Sequence, residues 1–575
     1  MKNAEISNIF NNIADLLEIK GENPFRIRAY RKAAFNIDSL GKDVSLLSKE
    51  ELLKIPGIGS DLAGKIVEYL ETGIIEAYEK LKTEMPESLI TLMGVPGLGP
   101  KTVSLIYKKF NIKDLNGLER LAKEHKLSSL PGIRDRTESN ILKGIEMLKR
   151  ESSRHPLGRV LPVANEIIMY LSANAPLNRI SIAGSLRRWK DTIKDIDIIS
   201  TSKSPDKVMD IFTHMPDVRE ILMKGPTKSS VIIKEGIQVD IRVVDEESFG
   251  SALAYFTGSK AHNIRLREIA SREGLKINEY GIFREKDNKR LGGRSEEDIY
   301  KVLGLQYVPP ELREDTGEIE AAASGSLPEL IELEDIKGDL HVHSNWSDGN
   351  EDFGKLIESS IERGYKYIAI TDHSKGLGIA RGLDEKRITE QKRIIDSINK
   401  KTRGFRLLSG VEINIKSDGS LDFDDDLLRK LDMVVASIHS GFKQSKEQLT
   451  KRIVTAMKNP YVSVIAHPTG RLIGERDAYD VDIEEILKTA SETDTAVEIN
   501  AYPMRLDLSD PYIKIAKSRK VAFVISTDAH TSSQLDYMNY GVSMAKRGWL
   551  EKRDVLNTMD SVRLLKRLKN KTSRL

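Results

Sequence analysis

Cysteine is absent from the 575 residues, so the chain can hold neither a disulfide framework nor a thiolate-ligated zinc or iron–sulfur site. Aromatic residues are sparse at 6%, with three tryptophans. No apolar run approaches the roughly 20 residues that cross a bilayer. The opening MKNAEISNIF lacks the basic-then-apolar pattern of a secretory leader, so a cytoplasmic location without a membrane partner is expected. An excess of charge is missing too: 90 Lys and Arg against 87 Asp and Glu leave +3. That is far from the field of a nucleic-acid coat, and any DNA contact must be local. Histidine is the last scarce residue. Of ten, six fall beyond residue 340: His341, His343, His373, His439, His467 and His530. A lone histidine is most often a satisfied core or surface residue; six gathered in one third of a histidine-poor chain are not explained that way.

What remains is a globular composition, 39% hydrophobic and 31% charged. At roughly 150 residues per domain the length predicts about four folding units. Residues 1–150 read as helical, with Ile6, Ile9, Phe10, Ile13, Leu16 and Leu17 at helical spacing. Gly/Pro turns recur at Ile55-Pro56-Gly57-Ile58-Gly59, Val95-Pro96-Gly97-Leu98-Gly99 and Leu130-Pro131-Gly132-Ile133, a weak repeat of about forty residues. From 151 to 316 a helix over 160–173 and strands over 179–183, 196–200, 230–233 and 239–243 predict an α+β region. Residues 317–335 (GEIEAAASGSLPELIELED) read as a linker without an apolar stripe. After 336, about seven short apolar strands alternate with helices, the pattern of a barrel.

Three constellations carry chemistry. Each Pro-Gly-x-Gly turn opens a helix whose first N–H groups lack partners, so Gly57, Gly59, Gly97 and Gly99 are expected to let the backbone approach a DNA phosphate. Ser60, Lys65, Lys101 and Thr102 follow as cations and donors, whereas the third copy has Arg134 in place of its second glycine. One such turn is an ordinary connection; two favour sequence-independent phosphate binding. In the α+β region Asp195 and Asp197 alternate on one strand, so both carboxylates face one way, and Asp240 on a neighbouring strand completes a trio. Crowded carboxylates favour two Mg²⁺ ions, with Mn²⁺ able to substitute. Gly184, Ser185 and Arg188 just before them can grip nucleotide phosphates. Beyond residue 336, His341 and His343 alternate on an extended segment, and Asp348, His373, Glu412, His439, His467, Asp528 and His530 mostly follow apolar strands. Ligands from many strand ends converge at the C-terminal mouth of a βα barrel.

The hairpins resemble those of the eight-kilodalton and fingers domains of family X DNA polymerases, as does the segment 23–34 (NPFRIRAYRKAA). The resemblance implies that Lys65 is the Schiff-base lysine of a deoxyribose-phosphate lyase, although Asp61 stands where that pattern has a cation. Gly184 to Arg188 with the three aspartates resemble the family's nucleotidyltransferase palm, and Tyr255-Phe256-Thr257-Gly258-Ser259 strengthens the likeness. It implies that Tyr255, Phe256 and Gly258 lie against the incoming sugar, and that Asn263 and Arg267 contact base and template. Lys260 and Gln238 depart from the family's acidic residue and arginine. Residues 336–575 resemble the PHP (polymerase and histidinol phosphatase) domain, all nine ligand positions being filled, which implies three Zn²⁺ or Mn²⁺ ions. Glu498 finds no vacancy in that set, while Arg505 and Lys375 are candidates for substrate phosphate. His125, His155, His214 and His262, outside the cluster, are expected to be structural or exposed.

The implied architecture is multidomain: an all-α helix-hairpin-helix region, an α+β palm with thumb, and a distorted (β/α)7 PHP barrel. Its expected parts are an eight-kilodalton-like domain (1–82), fingers (83–150), palm (151–247), thumb (248–316), linker (317–335) and PHP domain (336–575). The implied activity is gap-filling DNA polymerisation in base-excision repair by a monomer, using gapped or primed DNA and deoxynucleoside triphosphates. A 3′–5′ exonuclease would accompany it, with a 3′-phosphatase or abasic-site endonuclease as further options. The rival readings are a template-independent nucleotidyltransferase, a small-molecule phosphoesterase, and a DNA-bridging module with silent sites.

Overall fold

The computed structural model describes residues 2–38, 43–55, 57–93, 95, 98–130, 133, 137, 138, 141, 142, 144, 145 and 154–572. It comprises two compact units, Met1–Ser153 and Arg154–Leu575. In the first, helices Lys2–Lys20 and Pro24–Asp38 pack together through Ile6, Phe10, Ile13, Leu16 and Tyr30, all buried. The ring of Phe10 meets Tyr30 edge-on at 5.5 Å. Helices Ser60–Thr72 and Pro100–Phe110 begin directly after Gly59 and Gly99.

The second unit opens with helix Leu157–Asn174 and a five-stranded sheet. Its spatial order is Arg179–Ile182, Asp195–Thr201, Gln238–Val244, Lys228–Ile233, Val218–Lys224. The central pair, Asp195–Thr201 and Gln238–Val244, is parallel, and its neighbours are antiparallel. Alternation in these two strands buries Ile196, Ile198, Val239 and Ile241 under helices Leu157–Asn174 and Pro205–Thr213. The edge strand Val218–Lys224 escapes sequence reading because it is exposed along almost its whole length and has no apolar alternation. Helices Phe249–Thr257 and Lys260–Arg272, a three-stranded antiparallel sheet over 275–292 and helix Glu296–Val302 follow.

The C-terminal half is a parallel barrel. Strands Gly338–Val342, Tyr367–Ile370 and Arg406–Ser409 form one ladder. Glu412–Asn414, Val435–Ser437, Val464–Ile465, Ala496–Asn500 and Phe523–Ser526 form another. Parallel bridges His373↔Glu412 and Val342↔Ala529 join them into a closed ring. Because 406–409 and 412–414 belong to one stretch of chain, the ring has seven strand positions, and its alternating helices cover the outside.

The linker reading of 317–335 needs correction. Helix Glu318–Ser324 buries Glu318, Ile319 and Ala322, and Ile331, fully buried, donates its N–H to the Leu550 carbonyl at 3.0 Å. Its apolar residues are too widely spaced to make a stripe, yet Ile319, Ala322 and Ile331 are buried against neighbouring elements, so this segment is a packed strap. One apolar cluster runs without interruption from Leu157, Ile198 and Val239 to barrel residues such as Ile368, Val497 and Val542.

Candidate active sites

Asp197 and Asp240 are direct partners across the parallel pair, and Asp195 lies two residues earlier on the same face. Gly184 closes the site from above with φ +66°, and a Cβ there would fall 2.3 Å from Oδ2 of Asp197. Only glycine permits that approach. Burial, then the charges of Asp195 and Asp240, push Asp197 up to about 7. Burial and Asp240 likewise raise Asp195. Three carboxylates crowded on one face are a donor set for hard divalent cations. Gln238 supplies a neutral donor, its Nε2 lying 2.9 Å from Oδ1 of Asp240.

The adjoining residues expected to grip phosphate are also gathered. Ser185 lies in the helical turn Gly184–Arg187. Arg188 donates through Nε to Glu314 Oε1 at 3.0 Å and through Nη1 to the Thr257 carbonyl. Helix Phe249–Thr257 stops at Gly258, φ +71°. Asn263 Nδ2 donates to the Tyr255 carbonyl at 2.7 Å, and Arg267 Nε to the Asn263 carbonyl at 3.3 Å. Phe256 stacks beneath the Arg242 guanidinium at 4.3 Å. Arg187, beside Arg188 but not singled out by the sequence, turns away and pairs with buried Glu296 at 2.6 Å.

All nine histidine and carboxylate candidates of the barrel meet at its mouth. Three overlapping groups could each hold a cation: His343, Asp348, His373 and His530; His341, His343 and Asp528; and His373, Glu412 and His439. His467 joins them, its Nε2 lying 3.1 Å from Glu412 Oε1. Glu412 sits at the centre, with His439 Nε2 3.1 Å from Oε1 and His373 Nδ1 2.8 Å from Oε2. The latter pair is close without hydrogen-bond alignment, and buried Glu412 Oε2, His341 Nε2, His343 Nδ1, His373 Nδ1 and His467 Nδ1 all lack a hydrogen-bond partner among the described residues. Converging buried donor atoms left unsatisfied by protein fit metal ions. Burial alone would raise Glu412, but His373, His439 and His341 hold its carboxyl well below the usual range. Burial and neighbouring His373 lower His343 to about 3, leaving its imidazole neutral and able to ligate. Two of the nine, His467 at φ 29° and Asp528 at φ 55°, adopt left-handed backbone that non-glycine residues rarely take. Such strain concentrates where function requires a geometry.

The residues that orient these candidate ligands are only faintly marked in the sequence. Glu498, fully buried, accepts from His341 Nδ1 at 2.7 Å and from the His467 N–H at 2.7 Å. It therefore belongs behind the ligands. Asn500 spans Glu498 Oε2 and Asp528 Oδ2, each at 3.2 Å. Asp372 accepts from Ser344, Ser347 and Gln391, and Asp339 from Thr527 and His341 N–H. The one signal that could have found them is a charge inside an apolar strand, as in Val-Glu-Ile-Asn. Arg505 does reach the site, its Nε 3.8 Å from Asp528 Oδ2, while Lys375 pairs with Glu385 at the surface. His262 is structural, buried between Glu318 and Tyr300.

In the first unit Gly57 takes φ +84° with Lys32 packed over it, where a Cβ would lie 2.9 Å from Lys32 Cγ. Gly59 and Gly99 cap their helices with no side-chain acceptor, leaving the first-turn N–H groups available. Among the described residues, nothing stands within 4 Å of a Cβ at either glycine. Lys101 is exposed and Thr102 half-buried at the start of the second helix. Gly97, Pro56, Pro96 and Arg134 lie outside the described residues. Lys65 is ion-paired with Asp61, and its side chain is 12% exposed.

Comparison with known proteins finds matches along most of the chain. Family models match a helix-hairpin-helix domain over residues 1–75 and a SAM-like helix-hairpin-helix tandem over 89–146. Others match the DNA polymerase beta thumb over 252–314 and the PHP domain over 339–502. The DNA polymerase/3′-5′ exonuclease PolX of Bacillus subtilis (strain 168) is 40% identical over 559 residues, 97% of each chain. DNA polymerase lambda of Rattus norvegicus is 25% identical over 346 residues, 54% of this chain and 56% of its own. A probable phosphatase of Thermoanaerobacter sp. (strain X514) is 30% identical over 236 residues, 38% of this chain and 90% of its own.

Proposed function

This chain belongs to the family X DNA polymerases that carry a PHP domain, divalent-metal-dependent enzymes joining a DNA polymerase to a 3′–5′ exonuclease, and on that premise we propose which residues perform each reaction. Asp195, Asp197 and Asp240 hold two Mg²⁺ ions in the palm; Mn²⁺ can replace them. His341, His343, Asp348, His373, Glu412, His439, His467, Asp528 and His530 hold three Zn²⁺ or Mn²⁺ ions in the barrel, imidazole and carboxylate without thiolate suiting those metals. Bound cations supply Lewis-acid neutralisation of phosphate charge, for nucleotidyl transfer in the palm and for hydrolysis in the barrel.

The remaining work falls to side chains. Gly184 and Ser185 bring backbone N–H groups to the triphosphate of an incoming deoxynucleotide, and Arg188 adds a cation. Tyr255, Phe256 and Gly258 flank its sugar, with Asn263 and Arg267 toward base and template. Glu498 keeps the His341 proton on Nδ1 and so presents Nε2 as a ligand. Gly57, Gly59, Gly97, Gly99, Lys101 and Thr102 hold the phosphates of gapped DNA irrespective of sequence. This equipment suits the filling of short gaps in base-excision repair, with Lys65 as the nucleophile of an accompanying lyase step.

The observation that carries the reading is the register pairing of Asp197 with Asp240 beneath Gly184. Its test is a radiolabelled gapped duplex incubated with and without deoxynucleotides. Extension with them and shortening without them are expected; an unchanged primer in both would favour a DNA-bridging module. The likeness to a probable phosphatase supports a second reading for the barrel, a 3′-phosphatase, and a 3′-phosphorylated primer distinguishes it by release of inorganic phosphate.

A further inference from the structure

The loop that follows the glycine turn of the palm is held from outside the palm. Asp191 Oδ2 accepts from Arg471 Nη1 at 3.0 Å. Trp189, at φ 55°, meets Tyr540 edge-to-face at 5.8 Å. The carbonyl of Arg188 accepts from Arg547 Nη1 at 2.6 Å. All three donors or partners belong to the barrel, and Tyr540 and Arg547 lie on the same helix, Met538–Arg547.

Arg547 is the most committed of the three. Its side chain is 1% exposed. Besides the Arg188 carbonyl, it reaches Glu314 Oε1 at 3.1 Å through Nη1 and Asp510 Oδ2 at 2.6 Å through Nη2. Glu314 Oε1 is also the acceptor for Arg188 Nε at 3.0 Å. A barrel guanidinium thus fixes both the backbone of Arg188 and the carboxylate that orients its side chain. Burial would raise Glu314, but Arg547, Arg188 and Lys190 together hold it ionised. Arg188 Nε faces Glu314 and Nη1 faces the Thr257 carbonyl, which leaves Nη2 unengaged among the described residues.

We infer that Arg547 is a positioning residue for nucleotide binding: through the Arg188 carbonyl and Glu314 it sets the direction in which Arg188 presents its free terminal nitrogen to the triphosphate. The inference rests on the reading of Arg188 as a phosphate grip. It makes the barrel a structural part of the polymerase, separately from its own hydrolytic centre. Palm and barrel have few ways to change this contact, since a charged hydrogen bond in a buried site tolerates little displacement.

The test is a double-mutant cycle on the full chain with Arg547→Met, Arg188→Ala and the pair, reading KM for deoxynucleotide and kcat on gapped DNA. Arg547→Met should raise KM about tenfold, the low end of what one charge-assisted hydrogen bond is worth, with kcat changed far less. In the Arg188→Ala background it should add little. An unchanged KM in Arg547→Met overturns the inference, and so does an equal rise in both backgrounds, which would mean that Arg547 acts elsewhere. If Arg188→Ala itself leaves KM unchanged, the phosphate-grip reading fails, and the inference with it. Exonuclease activity, which needs the barrel folded, reports the integrity of each variant. Should Arg547→Met not fold, Asp510→Asn, which loosens the barrel side of the same guanidinium, must raise KM in the same direction; no rise there overturns the inference as well.

Discussion

Nδ1 of His341 lies 2.7 Å from Oε1 of Glu498, both side chains fully enclosed behind the barrel mouth. The carboxylate fixes the imidazole tautomer, and the Nε2 lone pair is directed toward Glu412 and Asp528, 3.5 and 3.7 Å away. Glu498→Gln keeps the shape but weakens that hold. Outer-shell changes of this kind typically cost about 10–100-fold in metal affinity. Exonuclease activity should fall at limiting metal and recover as Mn²⁺ is added, while extension stays at the wild-type rate. Bound metal per chain, measured after dialysis, checks the cause; full occupancy with lost activity would place Glu498 in another role.

The two catalytic centres should be separable by substitutions within them. Asp240→Asn removes one charge from the palm trio and should depress extension by orders of magnitude, several kcal/mol of transition-state stabilisation being at stake. Primer shortening should persist. His341→Ala should do the reverse. Melting temperature and affinity for gapped DNA must stay near wild type in both, and loss of both activities in either folded variant would contradict two independent centres.

Glu296 offers a pH test of stability. Against the penalty of burial, Arg187 and Arg313 lower its pKa from 4.5 to about 2. A depressed carboxyl stabilises the fold fully above about pH 4.5 and progressively less as pH falls toward 2, the whole effect being ~3 kcal/mol. Glu296→Gln should therefore unfold at lower denaturant than wild type at pH 7, and the gap should narrow below pH 4.5. A gap that widens on acidification would show that the arginines do not stabilise the carboxylate.

Lys65 can be tested by borohydride trapping on an incised abasic site. A Schiff base at Lys65 should give a covalent adduct that Lys65→Ala abolishes. Asp61→Asn, which breaks the ion pair with Lys65, should speed trapping by freeing the Lys65 side chain to reach the sugar aldehyde. Undiminished adduct in Lys65→Ala would assign the chemistry to another amine.

What the sequence made legible was whatever follows from a local period. Asp195 and Asp197 show themselves because strands alternate, and the barrel ligands because nearly all sit where an apolar strand ends. Glu498 obeys neither rule: a charge within a strand looks the same whether it faces solvent or a ligand. The strap over 317–335 hides its packing in isolated residues such as Ile331, whose partner Leu550 is far along the chain. Arg547 was out of reach for a plainer reason. Its contact with the Arg188 carbonyl joins positions 359 residues apart, and no spacing rule spans that interval.

The apolar cluster shared by palm and barrel bears on how the two centres can move. Two active centres mounted on one continuous core cannot swing toward each other without breaking that core, so the interval between them is a constant of the molecule.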